Sequence, residues 1–305
     1  MKNLRQSIHG PLVLGTLVFV TSAANLRAAD LRLSAETVAA WNEYLETAKC
    51  SMKDRVKPGA HFLWLDEDPQ RAARARNGEI VAAPVNKDDN PHQVPSGLIH
   101  HWIAAAFVPN STIKDVFAVV NDYQHYKDIY KPSVIDSKAL SRHDMEGRFK
   151  LLLQSKSHFV KTAFDGDYAS TDVQVNPTNW YSFSHTTNLQ EIQHYGQAKQ
   201  TKLPAGQGSG VIWGLFSINR FAERDGGVYV EVEAIGLSRE IPNGLHWLVD
   251  PIVRRVAKSS LVTTLEQTSG AVRTQVAKNG SKSEAPVATA EPASSARGAS
   301  KRTQN

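Results

Sequence analysis

Three charged residues beside one predicted hairpin are the first candidates for a binding or catalytic role. The turn signal Asp-Gly-Gly at residues 225–227 joins two strand-like segments and brings Arg220 close to Glu231 or Glu233, depending on the register. On the solvent face, such a cross-strand ion pair would contribute roughly 0.2–1 kcal/mol. Inside a cavity, the same charges would hold the polar end of a ligand. Every second residue from Val228 onward is small and apolar, which suits the surface beneath a helix and favours the solvent face for both glutamates.

Aromatic side chains on strand-like segments are the second group of candidates, because they could line an apolar pocket. They are Trp102, Tyr181, Phe183, Trp213 and Phe216, and with Arg220 and Trp247 they form the predicted ligand-binding set. A plain core is the commoner setting for any one of these rings, whereas the combination is typical of small-molecule sites, which are mostly apolar with a few polar groups. If the pocket instead held the acid or base of an enzyme, the candidates would be His185, Tyr181 and Glu231.

Two further motifs do not indicate a metal or nucleotide site. His100 and His101 are neighbours on a strand-like segment, where successive side chains point to opposite faces, and no Cys or His accompanies them at ligand spacing. The glycine-rich stretch at 206–210 lacks the Lys-Ser/Thr of a phosphate-binding loop, and it is predicted to be a hairpin loop. The sequence therefore assigns no metal ligand, no cofactor and no definite catalytic residue.

A long amphipathic helix near the C-terminal end is the clearest element around these residues. Over residues 243–273, apolar side chains recur at three- and four-residue spacing, with basic side chains on the other side. The apolar stripe consists of Leu245, Leu248, Val249, Ile252, Val253, Val256, Leu261 and Leu265. Burying these side chains contributes on the order of 12–24 kcal/mol before the opposing entropy is counted, so a kink at Pro251 is tolerable. The helix must therefore pack on a large apolar surface.

An antiparallel sheet formed by the preceding segments would supply that surface. A strand is predicted from Leu98 to Val108, followed by a helix capped by Ser111 or Thr112 and a short helix from Tyr123 to Tyr130. Strand-like segments separated by turn signals follow, at 133–142, 147–157, 159–175, 180–194, 209–224 and 227–239. Another helix, capped by Ser34, is predicted at 34–49. The predicted fold class is α+β.

The two ends of the chain account for its basic character. The 305 residues carry a formal charge of +5, but residues 1–29 and 275–305 carry +3 each, which leaves about −1 for the body between them. The body therefore has no compositional feature of a nucleic-acid-binding protein. Residues 275–305, rich in Ala, Ser, Pro and Lys, are predicted to be a disordered tail that could make weak contact with an anionic membrane surface.

The first 29 residues are predicted to be a cleaved export signal. They combine a basic start, an apolar run from Leu12 to Val20 and small residues that end at Ala29. The apolar run is shorter than the roughly 18–20 residues of a membrane span, so a retained anchor is the weaker alternative. We therefore expect a periplasmic or secreted protein, with one cysteine, Cys50, and no disulfide within the chain.

The order of these elements from residue 98 to 274 resembles the START-like, or helix-grip, superfamily, which includes polyketide cyclase/dehydrase-like and lipid-transfer proteins. The resemblance lies in Phe107-Val108-Pro109-Asn110-Ser111-Thr112 through Asp122-Tyr123, in Tyr130-Lys131-Pro132-Ser133-Val134, and in Ile241-Pro242 leading to Trp247-Leu248-Val249-Asp250-Pro251. Arg220 to Tyr229 and Gly97 to Trp102 also look like segments of uncharacterised secreted bacterial members. Residues 30–97 lie outside this resemblance, as an N-terminal extension.

The resemblance implies a curved antiparallel sheet around the long C-terminal helix, with an apolar cavity between them. Such a cavity would hold a lipid, isoprenoid, sterol or polyketide-like molecule, and the leading hypothesis is binding or carriage without catalysis. The superfamily has no universal catalytic residues, so none is carried over. Two alternatives remain: a cyclase or dehydratase that acts inside the cavity, and an envelope scaffold that binds no ligand.

Overall fold

The structure, a computed structural model, describes residues 31–86, 91–156, 161–240 and 246–283. The predicted export signal at 1–29 and the last part of the predicted tail, 284–305, lie outside the described residues. So does the Ile241-Pro242 segment of the resemblance, as do the side chains of residues 246–256, including that of Trp247.

Five helices and twelve strands make up the described part of the chain. The helices are α1 (Ala35–Arg55), α2 (Pro69–Arg76), α3 (Ile113–Val120), α4 (Tyr126–Ile129) and α5 (His246–Ser283), with short 3-10 turns at Trp64–Glu67 and Tyr123–His125. The strands are β1 (Leu31–Arg32), β2 (Val81–Pro84), β3 (His92–Val94), β4 (Gly97–Pro109), β5 (Val134–His143), β6 (Glu146–Lys156), β7 (Lys161–Gln174), β8 (Asn179–Gln193), β9 (Thr201–Lys202), β10 (Gln207–Gly208), β11 (Gly214–Arg224) and β12 (Gly227–Arg239). None of these helices is both long and apolar enough to span a bilayer.

One large antiparallel sheet dominates the fold. Its strands follow the order β2-β4-β12-β11-β8-β7-β6-β5, with β3 added to β4 and β9 added to β8. The central hairpin turns at Asp225 and Gly226, whose φ angles of 58° and 77° are those of a two-residue turn that matches the strand twist. This turn sets Arg220 directly opposite Glu231.

Helix α5 packs on one face of the sheet, which we call the inner face. Leu261, Leu265 and Val272, spaced four and seven residues apart along the helix, are buried against alternate residues of the central strands and against α3. Their partners include Ala104, Ala106, Val108, Val228 and Val230, together with Ile113, Val116 and Val119 of α3. The predicted α+β class, an antiparallel sheet with a long C-terminal helix on it, is confirmed.

The N-terminal extension covers the opposite face, which we call the outer face. Leu45, Ala48 and Met52 of α1 are buried there against Ile218, Ile235 and Leu237, and Leu63 and Leu65 are buried beside Ala105 and Tyr229. Because both faces are covered, the alternation of small and large residues cannot mark one face as exposed. The solvent-face prediction for Glu231 and Glu233 is therefore wrong, although both lie on the face away from α5, as the alternation indicated.

Two helix boundaries differ from the predictions. Ser34 caps α1 through its side chain, as predicted, but the helix runs on to Arg55. Helix α5 continues through Ser283, past residue 275 where the tail was predicted to begin, and Val276 packs against the inner core. The partly buried Val276 extends the apolar contact of the helix by one turn beyond Val272, which gives this extra length a physical cause.

Replacing Thr112 with alanine is expected to lower the free energy of unfolding by about 1 kcal/mol. The Thr112 side chain accepts from the Asp115 backbone N–H while the Asp115 carboxylate accepts from the Thr112 backbone N–H, so both donors at the start of α3 depend on this box. Urea unfolding followed by circular dichroism measures the change. Thr112→Ser, which keeps the hydroxyl, should stay close to the parent chain, and equal losses for both variants would contradict the capping role.

Candidate functional site

A cavity of about 240 Å³ lies between the inner face and helix α5. Its wall combines aromatic rings, hydroxyl groups and carboxamides. The lining residues are Val120, Asn121, Tyr123, Tyr126, Tyr130, Phe149, Leu151, Tyr168, Ser170, Ser182, Ser184, Ser217, Asn219, Phe221, Val230, Val232, Thr264 and Thr268. All of them are uncharged apart from the tyrosines' weakly acidic phenols, so the cavity is built for a ligand that carries no strong charge.

Five rings form an aromatic box at one end of this cavity: Tyr123, Tyr126, Tyr130, Phe149 and Tyr168. The Phe149 ring lies between two nearly parallel neighbours, 4.1 Å from Tyr123 and 5.1 Å from Tyr168, measured between centroids. The Tyr126 ring stands edge-on to Tyr123 at 5.6 Å and to Tyr130 at 4.8 Å. Offset stacks and edge contacts of this kind hold each ring in place, which makes the box a rigid apolar wall.

One hydroxyl in the box is buried without a partner. The Tyr168 phenol oxygen has no hydrogen-bond partner among the described residues. Its neighbours differ: Tyr126 donates to the Val120 carbonyl at 2.5 Å, and the Tyr130 and Thr268 hydroxyls lie 3.1 Å apart. Since an unpaired buried polar group costs about 1–3 kcal/mol, the Tyr168 hydroxyl is the group in this wall with the most to gain from a ligand.

Burial keeps these phenols protonated. It raises the pKa of Tyr130 and of Tyr168, and it raises that of Tyr126 well above the ordinary value. At neutral pH each phenol is therefore a hydrogen-bond donor rather than a base, which suits recognition of an acceptor such as a carbonyl or ether oxygen.

A polar row crosses the sheet at the other end of the cavity. The Asn219 amide nitrogen on β11 donates to the Ser182 hydroxyl on the neighbouring strand β8 at 3.1 Å. It also donates to the Ser217 hydroxyl on its own strand at 3.4 Å. The alternation of strand residues places these side chains on the inner face, while Tyr181, Phe183 and Arg220 point the other way.

A buried carboxylate holds the cavity wall at the end of α3. Asp172 accepts from Arg142 at 2.6 Å and from the Asn121 amide at 3.3 Å, and Arg142 also donates to the Tyr123 hydroxyl at 3.2 Å. Asn121 and Tyr123 line the cavity, so this ion pair fixes the direction of two lining side chains without entering the cavity itself.

Most of the predicted ligand-binding residues lie elsewhere. Tyr181, Phe183, Trp213 and Phe216 are on the outer face, packed with α1, and do not line the cavity. Trp102 faces the inner core but lies outside the cavity wall, and Arg220 is buried on the outer face. The cavity wall therefore differs from the predicted set: it forms where the strands carry small residues such as Ser182 and Ser217, whereas four of the predicted rings pack between the sheet and α1.

The candidates for the acid or base of an enzyme also miss the cavity. His185, Tyr181 and Glu231 all lie on the outer face. His185 is exposed there, with its pKa lowered by partial burial and by the charges of Lys49 and Arg148. The placement of a catalytic acid or base in the cavity at these three positions is therefore wrong.

Some of the residues that line the cavity could have been identified from the sequence. Tyr123, Tyr126 and Tyr130 follow the spacing of one helical face, and this repeat within the resembling segment is a signal that sequence reasoning missed. Phe149 and Tyr168 carried no such signal, because their place in the aromatic box depends on the pairing of β6 with β7, where they stand opposite each other.

A buried charged cluster occupies the outer face. Arg220 donates to Glu233 and, at 3.5 Å, to Glu231, and its Nε lies 3.1 Å from the sulfur of Met52. Glu231 accepts the backbone N–H groups of Trp64 at 3.0 Å and Leu65 at 2.8 Å, which ties the N-terminal extension to the sheet. These ion-pair members are at most 10% exposed in their side chains, so solvent screens them little.

The cluster continues to a histidine and a tyrosine. His101 Nε2 lies 2.7 Å from the remaining Glu233 oxygen, and His101 Nδ1 lies 2.9 Å from the Tyr44 hydroxyl on α1. His100 points away and pairs with Ser238 at 2.9 Å, so the two histidines face opposite sides, as expected for neighbours on a strand. Within the described residues, no group of three or more His, Cys, Asp or Glu side chains could hold a metal ion.

Comparison with known proteins gives distant likenesses in structure. No protein-family model and no curated protein matches the chain. Among solved structures, a STAR-related lipid transfer protein from Xanthomonas axonopodis is 14% identical and superposes with a TM-score of 0.44 over 63% of this chain and 98% of that one. Human STARD10 is 7% identical, with a TM-score of 0.41 over 75% of this chain and 87% of that one. The Zhui aromatase/cyclase from a Streptomyces species is 12% identical, with a TM-score of 0.38 over 58% and 96%.

Proposed function

We propose that this protein binds a compact, mainly apolar ligand in the cavity beneath α5 and carries it without chemical change. The observation that carries the proposal is the Tyr168 hydroxyl, a buried donor without a partner among the described residues, set in a wall of stacked rings. A ligand that places an acceptor oxygen beside Tyr168 and an apolar body against the box satisfies both features.

The size of the cavity narrows the ligand class. About 240 Å³ is just below the roughly 300–1,000 Å³ usual for small-molecule pockets. That volume suits a fused aromatic or polyketide-like ring system, or a short isoprenoid, better than a sterol or a lipid with two acyl chains. The nearly parallel rings of Tyr123, Phe149 and Tyr168 support a planar ligand, since aromatic groups prefer offset stacking and edge contacts.

The experiment that tests this proposal is the identification of a bound molecule. The protein would be purified without detergent, measured by native mass spectrometry, and extracted with organic solvent for analysis of the released compound. The expected result is a single class of uncharged, mainly apolar molecule with at least one oxygen acceptor. Failure to recover or bind any such molecule across aromatic polyketides, isoprenoids and fatty acids would overturn the proposal.

Replacing Tyr168 with phenylalanine is expected to weaken binding of a carbonyl-bearing aromatic ligand by about tenfold, the equivalent of one hydrogen bond. The ring and the packing stay in place, so the free energy of unfolding should not fall. Fluorescence titration with a hydroxylated anthraquinone measures the change. Tyr229→Phe is the matched control, because Tyr229 donates to Asp225 on the outer face and its loss should leave the affinity unchanged.

We also propose that the chain is exported and works outside the cytoplasm. The support is the basic start, the apolar run and the small residues of 1–29. The test is the mass of the protein recovered from the periplasmic fraction or the medium of an expressing bacterium. An N-terminus between residues 25 and 30 is expected, and an intact Met1 in the cytoplasmic fraction would contradict export.

A further inference from the structure

A second pocket lies on the outer face, between the sheet and the N-terminal extension. It has a volume of about 400 Å³, more than the cavity beneath α5, and its wall combines apolar surface with polar and charged side chains. We call it the outer pocket. Its lining residues are Tyr44, Thr47, Ala48, Ser51, Arg55, Trp64, Glu67, Pro84, Val85, His101, Ile103, Arg220 and Glu233.

Two adjacent stripes of helix α1 differ in character. One stripe is apolar and includes Leu45 and Met52, which pack in the outer core. The neighbouring stripe carries Tyr44, Thr47 and Ser51 at the spacing of one helical face, and these hydroxyl side chains form one wall of the outer pocket. Thr47 and Ser51 are solvent-exposed and Tyr44 is half-buried, so these hydroxyl groups are accessible to a molecule in the pocket.

The floor of the outer pocket is charged and buried. Arg220, Glu233 and His101 are 2%, 7% and 7% exposed, yet all three reach the pocket. A well-packed apolar floor would be as stable as this cluster or more so, since taking ions out of water is costly. The cost of keeping them points to a role other than packing.

The charges of the outer pocket are already matched. Arg220 pairs with Glu233 on the floor, and Arg55 pairs with Glu67 at 2.5 Å on the rim. A charged ligand would therefore meet no free counter-charge and would have to break an existing pair. An apolar ligand would cover these groups without offering them hydrogen bonds, which is also unfavourable. An uncharged ligand rich in hydroxyl groups meets neither obstacle.

The hydrogen-bonding groups on the wall suit such a ligand. The Thr47 and Ser51 hydroxyls donate to helix carbonyls one turn back, at 3.1 Å each, and so present their lone pairs as acceptors. Arg220 carries five N–H donors, and its bonds to Met52, Glu231 and Glu233 use three of them. The wall thus offers donors from the floor and acceptors from the rim.

We infer that the outer pocket is a second binding site, for an uncharged polyhydroxylated molecule of the sugar or polyol class. This site is separate from the cavity beneath α5, because the full thickness of the sheet lies between them. The inference does not depend on the proposed function, and it assigns a binding role to the N-terminal extension in addition to that of a cover.

The test uses protein NMR on the full mature chain, with the Trp64 indole N–H signal, assigned through Trp64→Phe, as the probe. D-glucose, trehalose and myo-inositol are titrated as polyols, and benzoate, benzylamine and toluene as charged and apolar comparisons. At least one polyol should shift the signal to saturation with a Kd below about 10 mM. No saturation by any of the three polyols, or equal affinity for a comparison compound, would overturn the inference.

Two small substitutions test the wall itself without filling the pocket. Thr47→Val and Ser51→Ala each remove one acceptor and should weaken polyol binding about three- to tenfold. Thr268→Val, which removes a hydroxyl from the cavity beneath α5, is the matched control and should leave polyol binding unchanged. Unchanged affinity in both α1 variants would refute the site. Neither α1 variant should change the affinity of the cavity beneath α5 for the hydroxylated anthraquinone, measured by fluorescence titration. Each of the two binding proposals can therefore be contradicted without affecting the other.

Discussion

Arg220→Met is expected to lower the free energy of unfolding by about 3–5 kcal/mol at pH 7, the usual cost of leaving a buried charge without its partner. Arg220 is 2% exposed and is the cation that faces both Glu231 and Glu233 on the floor of the outer pocket. Methionine fills a similar volume, so the loss measures charge rather than a cavity. Urea unfolding followed by near- and far-ultraviolet circular dichroism gives the value.

Two further variants separate the charge from the shape of Arg220. Arg220→Lys keeps the charge and loses the planar fork that reaches two carboxylates, so it should recover part of the stability. Arg74→Ala removes an exposed arginine paired with Glu79 and should leave stability unchanged, since exposed pairs contribute little. A loss for Arg220→Met as small as that for Arg74→Ala would mean that the cluster is hydrated in solution.

Glu233→Gln is expected to cost about 3 kcal/mol at pH 7, and the difference from the parent chain should vanish as the pH falls toward 2. The hydrogen bond with His101 and the nearby Arg220 guanidinium outweigh burial and lower the pKa of Glu233 to about 2 from the ordinary 4.5. A carboxylate with a lowered folded-state pKa stabilises the fold above its unfolded pKa, and that stabilisation is lost as pH falls through the folded value. Glutamine mimics the protonated form, so the two chains converge in acid.

The pH dependence of stability must be compared between the parent chain and the variant, because Glu231 changes stability with pH in the opposite direction to Glu233. Burial raises the pKa of Glu231, so keeping it ionised costs stability as the pH rises above its unfolded value. The acid profile of the parent chain sums both effects, whereas the difference between parent and Glu233→Gln isolates one carboxylate. Urea unfolding at pH 7, 5, 4 and 3 is the measurement, with Glu43→Gln on the exposed side of α1 as the control. A constant difference across these pH values would contradict the assigned role of Glu233.

The elements of the fold could be predicted because their signals are local. The Ser34 and Thr112 caps, the Asp-Gly turn after Arg224 and the apolar spacing of Leu261 and Leu265 each depend on residues a few positions apart. Helical spacing and strand alternation follow from backbone geometry, so they survive in any tertiary arrangement. The same alternation correctly separated Glu231 and Glu233 from the residues beneath α5.

The candidate site could not be predicted to the same degree because it depends on what the strands lack. A cavity appears where the inner face carries Ser182, Ser217 and Asn219 in place of large side chains, and a search for aromatic residues led instead to the rings that pack against α1 on the outer face. Tyr168 and Phe149 meet through the long-range pairing of β6 with β7, whose register is not fixed by any short sequence motif.

The sequence alone determined that the chain is α+β and that its long C-terminal helix packs on a sheet, since the apolar periodicity of that helix depends on residues close together in the sequence. Only the tertiary structure decided that the N-terminal extension buries the second face. The bonds that decide this join Tyr44 to His101, 57 residues away, and Trp64 to Glu231, 167 residues away. Contacts over such separations leave no periodic trace in the sequence, because they arise only when the folded chain sets α1 against the sheet. For the same reason, Arg220, Glu231 and Glu233 could be recognised as neighbours from their hairpin but not as a buried cluster.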